Sequence, residues 1–178
     1  MNTAANKLTL FRIAVIPIFL LLMYFDCVFF AIIVYIIACV SDFFDGRIAR
    51  NRNEVSNFGK FMDPLADKLL VLSAMCYCIE TGVIPAWVVV IVLVREFAVS
   101  GLRLIAIEQG VVIAAALSGK VKTVTTMIAV GFLIALREPW MPFKAYLPYI
   151  CCGAILLTTL YSGIEYFIKN AAVLKHCD

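Results

Sequence analysis

The sequence predicts an all-α integral membrane protein with six transmembrane helices and a short N-terminal interfacial helix, a single domain over residues 1–178. Three observations lead there. First, 64% of the 178 residues are hydrophobic and only 15% are charged, and mean hydropathy is +1.01; soluble globular domains are about 45–50% apolar. Second, the apolar residues fall into six runs, each close to the roughly 20 residues that cross a bilayer core. Third, lysine and arginine gather on one side of those runs. The composition excludes a soluble globular domain and a disordered chain. The formal net charge of +3 is small for a nucleic-acid binder.

The first run, about Leu8 to Phe25, has Arg12 near its start and Pro17 as an expected kink. The ten residues at the N-terminus are more polar and read as lying on the membrane surface. No small-residue cleavage site follows Ile13–Phe25, so this stretch reads as a span rather than a cleavable signal. The second run extends from Cys27 to about Ser41 and continues into a polar helix. The third begins at Pro64 and ends near Thr81, with Asp63 as the expected N-cap and Pro64 as the first helical residue. The fourth covers Pro85 to Ile107, the fifth Val121 to Leu136, and the sixth Tyr146 to Ile168. Seven cysteines, none in a CxxC pair, sit mostly inside these runs and read as small apolar fillers.

Six spans put both termini on one side. That side carries Lys7, Arg12, Arg47, Arg50, Arg52, Lys60, Lys68, Arg103, Lys120, Lys122, Lys169 and Lys175, while Arg137 and Lys144 fall opposite. The positive-inside rule then places both termini and the second and fourth loops in the cytoplasm.

The chemically informative stretch is Ser41 to Leu70. Asp42 and Asp45 share a helix face at the cytoplasmic end of the second run, and Ala49 returns to nearly that face. Gly46 leaves room for a bulky ligand beside the backbone. Asp67 lies one turn beyond Asp63 on the same face, and Gly59 is expected in the connecting loop. Charges at this depth cost roughly 2.5–3.5 kcal/mol each on insertion scales. Four aspartates close together repel unless a cation joins them. Hard oxygen donors suit Mg²⁺ or Mn²⁺, and paired ions clamp displacement at phosphorus. Singly, each aspartate reads as well as a cap or solvated loop charge as it does as a metal ligand, and the same quartet would serve a divalent-cation transporter. The carboxylates gather at one end while the outer halves of the runs are apolar, which favours chemistry at the membrane surface.

Taken together the pattern is D-x2-D-G-x2-A-R-x8-G-x3-D-x3-D, from Asp42 to Asp67. It resembles the signature of the CDP-alcohol phosphatidyltransferase family. These are integral membrane enzymes with six transmembrane helices, usually homodimers, which release CMP as they transfer a phosphatidyl or phosphoalcohol group. The resemblance implies that Asp42, Asp45, Asp63 and Asp67 hold two Mg²⁺ or Mn²⁺ ions, and that Asp67 is also the general base on the acceptor hydroxyl. It implies a CDP pocket from Asp42, Asp45, Gly46, Ala49, Arg50 and Gly59, with Arg50 on the pyrophosphate. Arg95-Glu96, Ser100-Gly101-Leu102-Arg103, Ser118 to Thr123 and Asn6 to Arg12 resemble the branch whose donor is CDP-diacylglycerol and whose acceptor is sn-glycerol 3-phosphate; Ala5 stands where that branch usually has proline. That branch implies a bacterial cytoplasmic membrane, with the site facing the cytoplasm among membrane lipids.

The residues themselves agree. Arg95 lies well inside the fourth run, where a lone cation is costly. Arg103 is two turns further towards the cytoplasm, and Lys120 and Lys122 open the fifth run on the same side. A phosphate on the acceptor would satisfy such a group, and Tyr166 is placed to add a hydroxyl. Ordinary positive-inside charge accounts equally well for the two lysines, and an internal pair with Glu96 is the alternative for Arg95. These basic residues favour a phosphorylated acceptor over serine, but do not separate glycerol phosphate from inositol phosphate.

Overall fold

The computed structural model describes residues 4–52, 57–109, 113, 116–139, 141 and 143–171, and the side chains of all of these except 4–12, 42–52 and 57–67. Among the described residues there are six helices and no strand: α1 (Ala4–Tyr24), α2 (Val28–Arg52), α3 (Asn57–Glu80), α4 (Ala86–Glu108), α5 (Leu117–Ala135) and α6 (Leu147–Lys169).

Short connections force neighbouring helices antiparallel. Between α1 and α2 the chain reverses in three residues, with Asp26 at φ 59, a backbone region aspartate tolerates better than bulky residues. Gly82, at φ 72, ends α3: its N–H bonds the Ile79 carbonyl at 2.9 Å and that of Val83 bonds the Cys78 carbonyl at 2.9 Å. This is the left-handed glycine stop expected at a helix C-terminus. At the end of α6, Asn170 Nδ2 donates to the Tyr166 carbonyl at 2.7 Å.

Two boundaries depart from the sequence reading. The N-terminal segment from Ala4 is continuous with α1, rather than a separate interfacial element. Asn6, Lys7 and Thr9 weaken the apolar pattern there without interrupting the helix. Secondly, α3 begins at Asn57, so Asp63 is not its N-cap, Pro64 is not its first residue, and Gly59 is helical rather than in a loop. Asp-Pro imitates a helix start because both residues are favoured there. A proline this far inside a helix removes a backbone hydrogen bond, at roughly 3 kcal/mol or more, and α3 persists while packed against α1, α2, α4 and α5.

The main core gathers Phe19, Met23, Tyr35, Met75, Val88 and Ile155, with Val130 and Leu133 of α5 at its centre. Tyr35 donates to the Met127 carbonyl at 3.1 Å, and its ring meets Phe19 at 6.0 Å between centroids. Cys78 and Cys151 fill small gaps in the same core. A second, smaller core of Val99, Leu102, Ala106 and Tyr166 joins α4 to α6.

The outside of the bundle carries many large apolar side chains. Phe29, Phe97, Leu104, Ile128, Leu157 and Ile164 are all more than half exposed, a surface that water would not tolerate over such an area and that lipid does. Two helices, α5 and α6, are long and apolar enough to cross a membrane, and the apolar parts of α1 and α2 described, Ile13–Tyr24 and Val28–Ser41, are shorter. In α4 the charges of Arg95, Glu96 and Arg103 interrupt the apolar run.

Candidate active site

One end of the bundle collects the polar chemistry. There α3, α4, α5 and α6 meet through Lys68, Glu96, Lys122 and Ser162, and α2 ends at Arg52, shortly before α3 begins at Asn57. On the α2 backbone, positions 42, 45 and 49 fall on one face. On α3, positions 59, 63 and 67 fall one turn apart along a single face. Because α3 starts early, Gly59 joins Asp63 and Asp67 in one line on a rigid element instead of hanging in a loop. The side chains of Asp42, Asp45, Arg50, Asp63 and Asp67, like Ala49 beside them, lie outside those described. Among the described residues no group of three or more His, Cys, Asp or Glu side chains could hold a metal.

The next residue after Asp67 is Lys68, and from here the side chains are described. Lys68 Nζ lies 3.2 Å from Glu96 Oε2 on α4 and donates to Ser100 Oγ at 3.0 Å. The other oxygen of Glu96 receives Lys122 Nζ from α5 at 2.6 Å and Arg95 Nη1 at 3.1 Å. Arg95 Nη2 also donates to Ser162 Oγ on α6. One carboxylate and one guanidinium therefore tie four helices together. The Lys122 and Arg95 side chains are 6% and 12% exposed, whereas Lys68 is 37% exposed, so the cluster is most open at Lys68.

Two glycines lie beside Arg95, and only Gly163 is crowded by it. A Cβ at Gly163 would come within 3.3 Å of Arg95 Cγ, and one at Gly119 within 3.7 Å of Arg95 Nη2. Arg95 Nε is buried and has no hydrogen-bond partner among the described residues. A buried N–H without a partner costs about 1–3 kcal/mol, so this one is a donor in search of an acceptor.

Arg103 stands two turns along α4 from Arg95, about 12 Å at the helical rise. Its Nε donates to the Tyr166 hydroxyl at 2.8 Å, with the guanidinium carbon 5.6 Å from that ring's centroid. Tyr166 is buried. Of the five residues expected to hold an acceptor phosphate, the structure thus brings Arg95 and Lys122 together and pairs Arg103 with Tyr166 as a second group. Lys120 is exposed, because two residues along a helix turn it about 200° from buried Lys122.

Sequence reasoning missed Lys68, Ser100 and Ser162, and left Glu96 without a role. For Lys68 the signal was present: it adjoins the last aspartate of the motif. The Arg95–Glu96 pair does form, as one arm of a larger cluster.

At the opposite end, Arg137 Nη2 pairs with Asp26 Oδ1 at 2.7 Å. Arg137 also donates to the Tyr77 hydroxyl, which bonds the Met23 carbonyl at 3.4 Å. This group clasps the α1–α2 turn to the ends of α3 and α5.

Fold and site together define a helical membrane protein with a largely buried basic cluster around Glu96, which begins one residue after the aspartate motif ends. Residues 2–161 match the model of the CDP-alcohol phosphatidyltransferase family. The chain belongs to this family. It is 41% identical to a CDP-diacylglycerol--glycerol-3-phosphate 3-phosphatidyltransferase of Bacillus subtilis (strain 168), over 96% of each chain. It is 36% identical to the protein of that name from Escherichia coli (strain K12), over 94% of each chain. It is 38% identical to a probable phosphatidylglycerophosphate synthase of Mycobacterium tuberculosis (strain ATCC 25618 / H37Rv), over 93% of this chain and 80% of that protein.

Proposed function

We propose that the protein transfers a phosphatidyl group from CDP-diacylglycerol to sn-glycerol 3-phosphate, giving phosphatidylglycerol phosphate and CMP in phospholipid biosynthesis. The observation that carries this reading is the basic cluster of Lys68, Arg95 and Lys122, joined through the Asp67–Lys68 peptide to the aspartate motif. The relatives named above, at 36–41% identity, support the same donor and acceptor.

In this reading the acceptor's free hydroxyl attacks the phosphorus that bears the diacylglycerol. The bond from that phosphorus to the CMP oxygen breaks, CMP leaves, and Asp67 takes the hydroxyl proton. A hydroxyl is a weak nucleophile at neutral pH, so a positioned carboxylate base contributes on the order of 10²–10⁴ in rate. Arg95, Lys68 and Lys122 hold the acceptor phosphate, with Arg95 Nε as a buried donor that has no partner among the described residues. Arg103, set by Tyr166, lies further towards the cytoplasm and draws the acceptor in. Gly46, Ala49 and Gly59 leave space for the cytidine nucleotide, and Arg50 pairs with its pyrophosphate.

The donor set on α2 and α3 fits a pair of hard divalent cations: four carboxylates with spacings of three and four residues, on two consecutive helices that touch. Asp42, Asp45, Asp63 and Asp67 would hold two Mg²⁺ or Mn²⁺ ions, which neutralise charge on the diphosphate and the departing CMP.

The reading extends to the membrane. All six helices span the bilayer, the polar start of α1 rides at its surface, and both termini and the site face the cytoplasm of a bacterial cell. The active form is a homodimer, and residues 1–178 act as one domain.

Purified protein supplied with CDP-diacylglycerol, Mg²⁺ and a panel of acceptors tests this. CMP release is expected with sn-glycerol 3-phosphate and not with serine or inositol phosphate. Release with inositol phosphate alone would overturn the acceptor. Metal flux into liposomes without CMP release would overturn the reaction class.

A further inference from the structure

Glu96 is an acid at the centre of a site whose proposed work is to attract an anion. Its carboxylate lies at the crossing of α3, α4 and α5, with Oε1 between Lys122 and Arg95 and Oε2 on Lys68. We propose that Glu96 is a positioning residue: it holds these three cations in the arrangement that receives the acceptor phosphate, and it sets their surplus charge. This rests on the reading that the cluster takes that phosphate.

Three arguments carry it. The first is repulsion. Three like charges within one carboxylate's reach drive one another apart in a poorly solvated site, and Glu96 is the acid that the described residues place against all three. The second is charge balance. Among the described residues, three cations less one carboxylate leave a surplus of two, which matches a phosphate monoester carrying about −1.5 to −2 at neutral pH. A purely structural pair would need one cation, and among the described residues Glu96 has three. The third is the setting of Arg95. One terminal nitrogen is bonded to Glu96 and the other to Ser162, while Gly163 leaves room for the stem, where a Cβ would come within 3.3 Å of Arg95 Cγ. That fixes the guanidinium plane and leaves buried Nε as its one nitrogen without a partner among the described residues. Without Glu96 the anchor on Nη1 is gone.

The test is steady-state kinetics of Glu96→Gln and Glu96→Asp, with donor and acceptor varied separately. Glu96→Gln keeps the shape and removes the charge. It is expected to raise KM for sn-glycerol 3-phosphate about tenfold or more, with KM for CDP-diacylglycerol within about twofold and kcat within about threefold. Glu96→Asp restores the charge on a shorter stem and is expected to fall between the two. A second readout needs no catalysis. Thermal stabilisation of the detergent-purified protein by sn-glycerol 3-phosphate or inorganic phosphate, without donor or metal, is expected for the wild type and lost in Glu96→Gln.

An unchanged acceptor KM in Glu96→Gln would overturn the inference. So would equal increases for both substrates, which mark a merely structural acid. A rise confined to CDP-diacylglycerol would overturn it in favour of a donor-diphosphate site. If Glu96→Gln cannot be purified folded, Glu96→Asp decides alone by the same split. Wild-type protein that releases no CMP with glycerol phosphate would sink the proposed function instead. The phosphate stabilisation and its loss in Glu96→Gln would then still decide the role of Glu96.

Discussion

Lys122→Met isolates the contribution of one cation. Methionine keeps most of the apolar stem of Lys122, whose side chain is 6% exposed, so the packing of α5 against its neighbours is retained and the charge alone is lost. On the stability side, Glu96 gives up its 2.6 Å partner but keeps Arg95 at 3.1 Å and Lys68 at 3.2 Å. No charge is stranded, so the roughly 3–5 kcal/mol for breaking a buried pair does not apply. Relief from burying an ammonium offsets part of the lost hydrogen bond, leaving a net loss near 1 kcal/mol, or about 2–4 °C in apparent Tm for a chain of this size. On the kinetic side, a charge-assisted hydrogen bond to the acceptor phosphate is worth about 1.5–3 kcal/mol. At 1.4 kcal/mol per decade, kcat/KM for sn-glycerol 3-phosphate should fall about 10- to 100-fold. The assay is CMP release with acceptor varied at fixed CDP-diacylglycerol, then the reverse, beside thermal unfolding in detergent followed by tryptophan fluorescence. Equal losses for both substrates, or a collapse in Tm with little kinetic change, would refute this reasoning and make Lys122 a structural strut.

Three further substitutions probe the rest of the account. Arg103→Ala removes the 2.8 Å bond to Tyr166 and should raise KM for sn-glycerol 3-phosphate by about tenfold while the donor KM moves far less, measured in the same CMP assay. Asp67→Asn should abolish turnover yet leave CDP-diacylglycerol binding measurable by calorimetry in detergent, since it weakens one ligand and removes the base while keeping the pocket. Arg137→Ala acts at the far end of the bundle, where the pair with Asp26 is largely exposed. It should cost no more than about 1 kcal/mol of stability and leave both KM values unchanged, so a selective acceptor defect there would count against confining the site to one end.

The helices were legible because their apolar runs are bounded by charge and glycine. Pro85 opens α4, Gly82 closes α3, and the gap around Asp26 is too short for anything but a turn. The start of α3 was not legible because Asp63–Pro64 carries two messages in the same letters, a helix-start signal and part of the aspartate motif. The α1 start was obscured because polar residues such as Asn6 and Lys7 fade the apolar pattern without breaking a helix. In the site, spacing alone placed the acids on common faces, since helical periodicity is local. The Glu96 cluster is a tertiary fact. Lys122 is 26 residues from Glu96 in sequence, and Ser100 is 32 from Lys68; no local pattern encodes which of twelve same-side cations converge on one acid. Adjacency in sequence suggested the Arg95–Glu96 pair correctly and hid its two other partners.

The account depends on the aspartate faces and the basic cluster forming one site. Paramagnetic Mn²⁺ tests that directly, through the ³¹P relaxation of sn-glycerol 3-phosphate in the presence of purified protein. Enhanced relaxation is expected with the wild type and its loss with the Asp42→Asn/Asp45→Asn variant. Equal relaxation in the two proteins would place metal and acceptor apart and contradict the central claim.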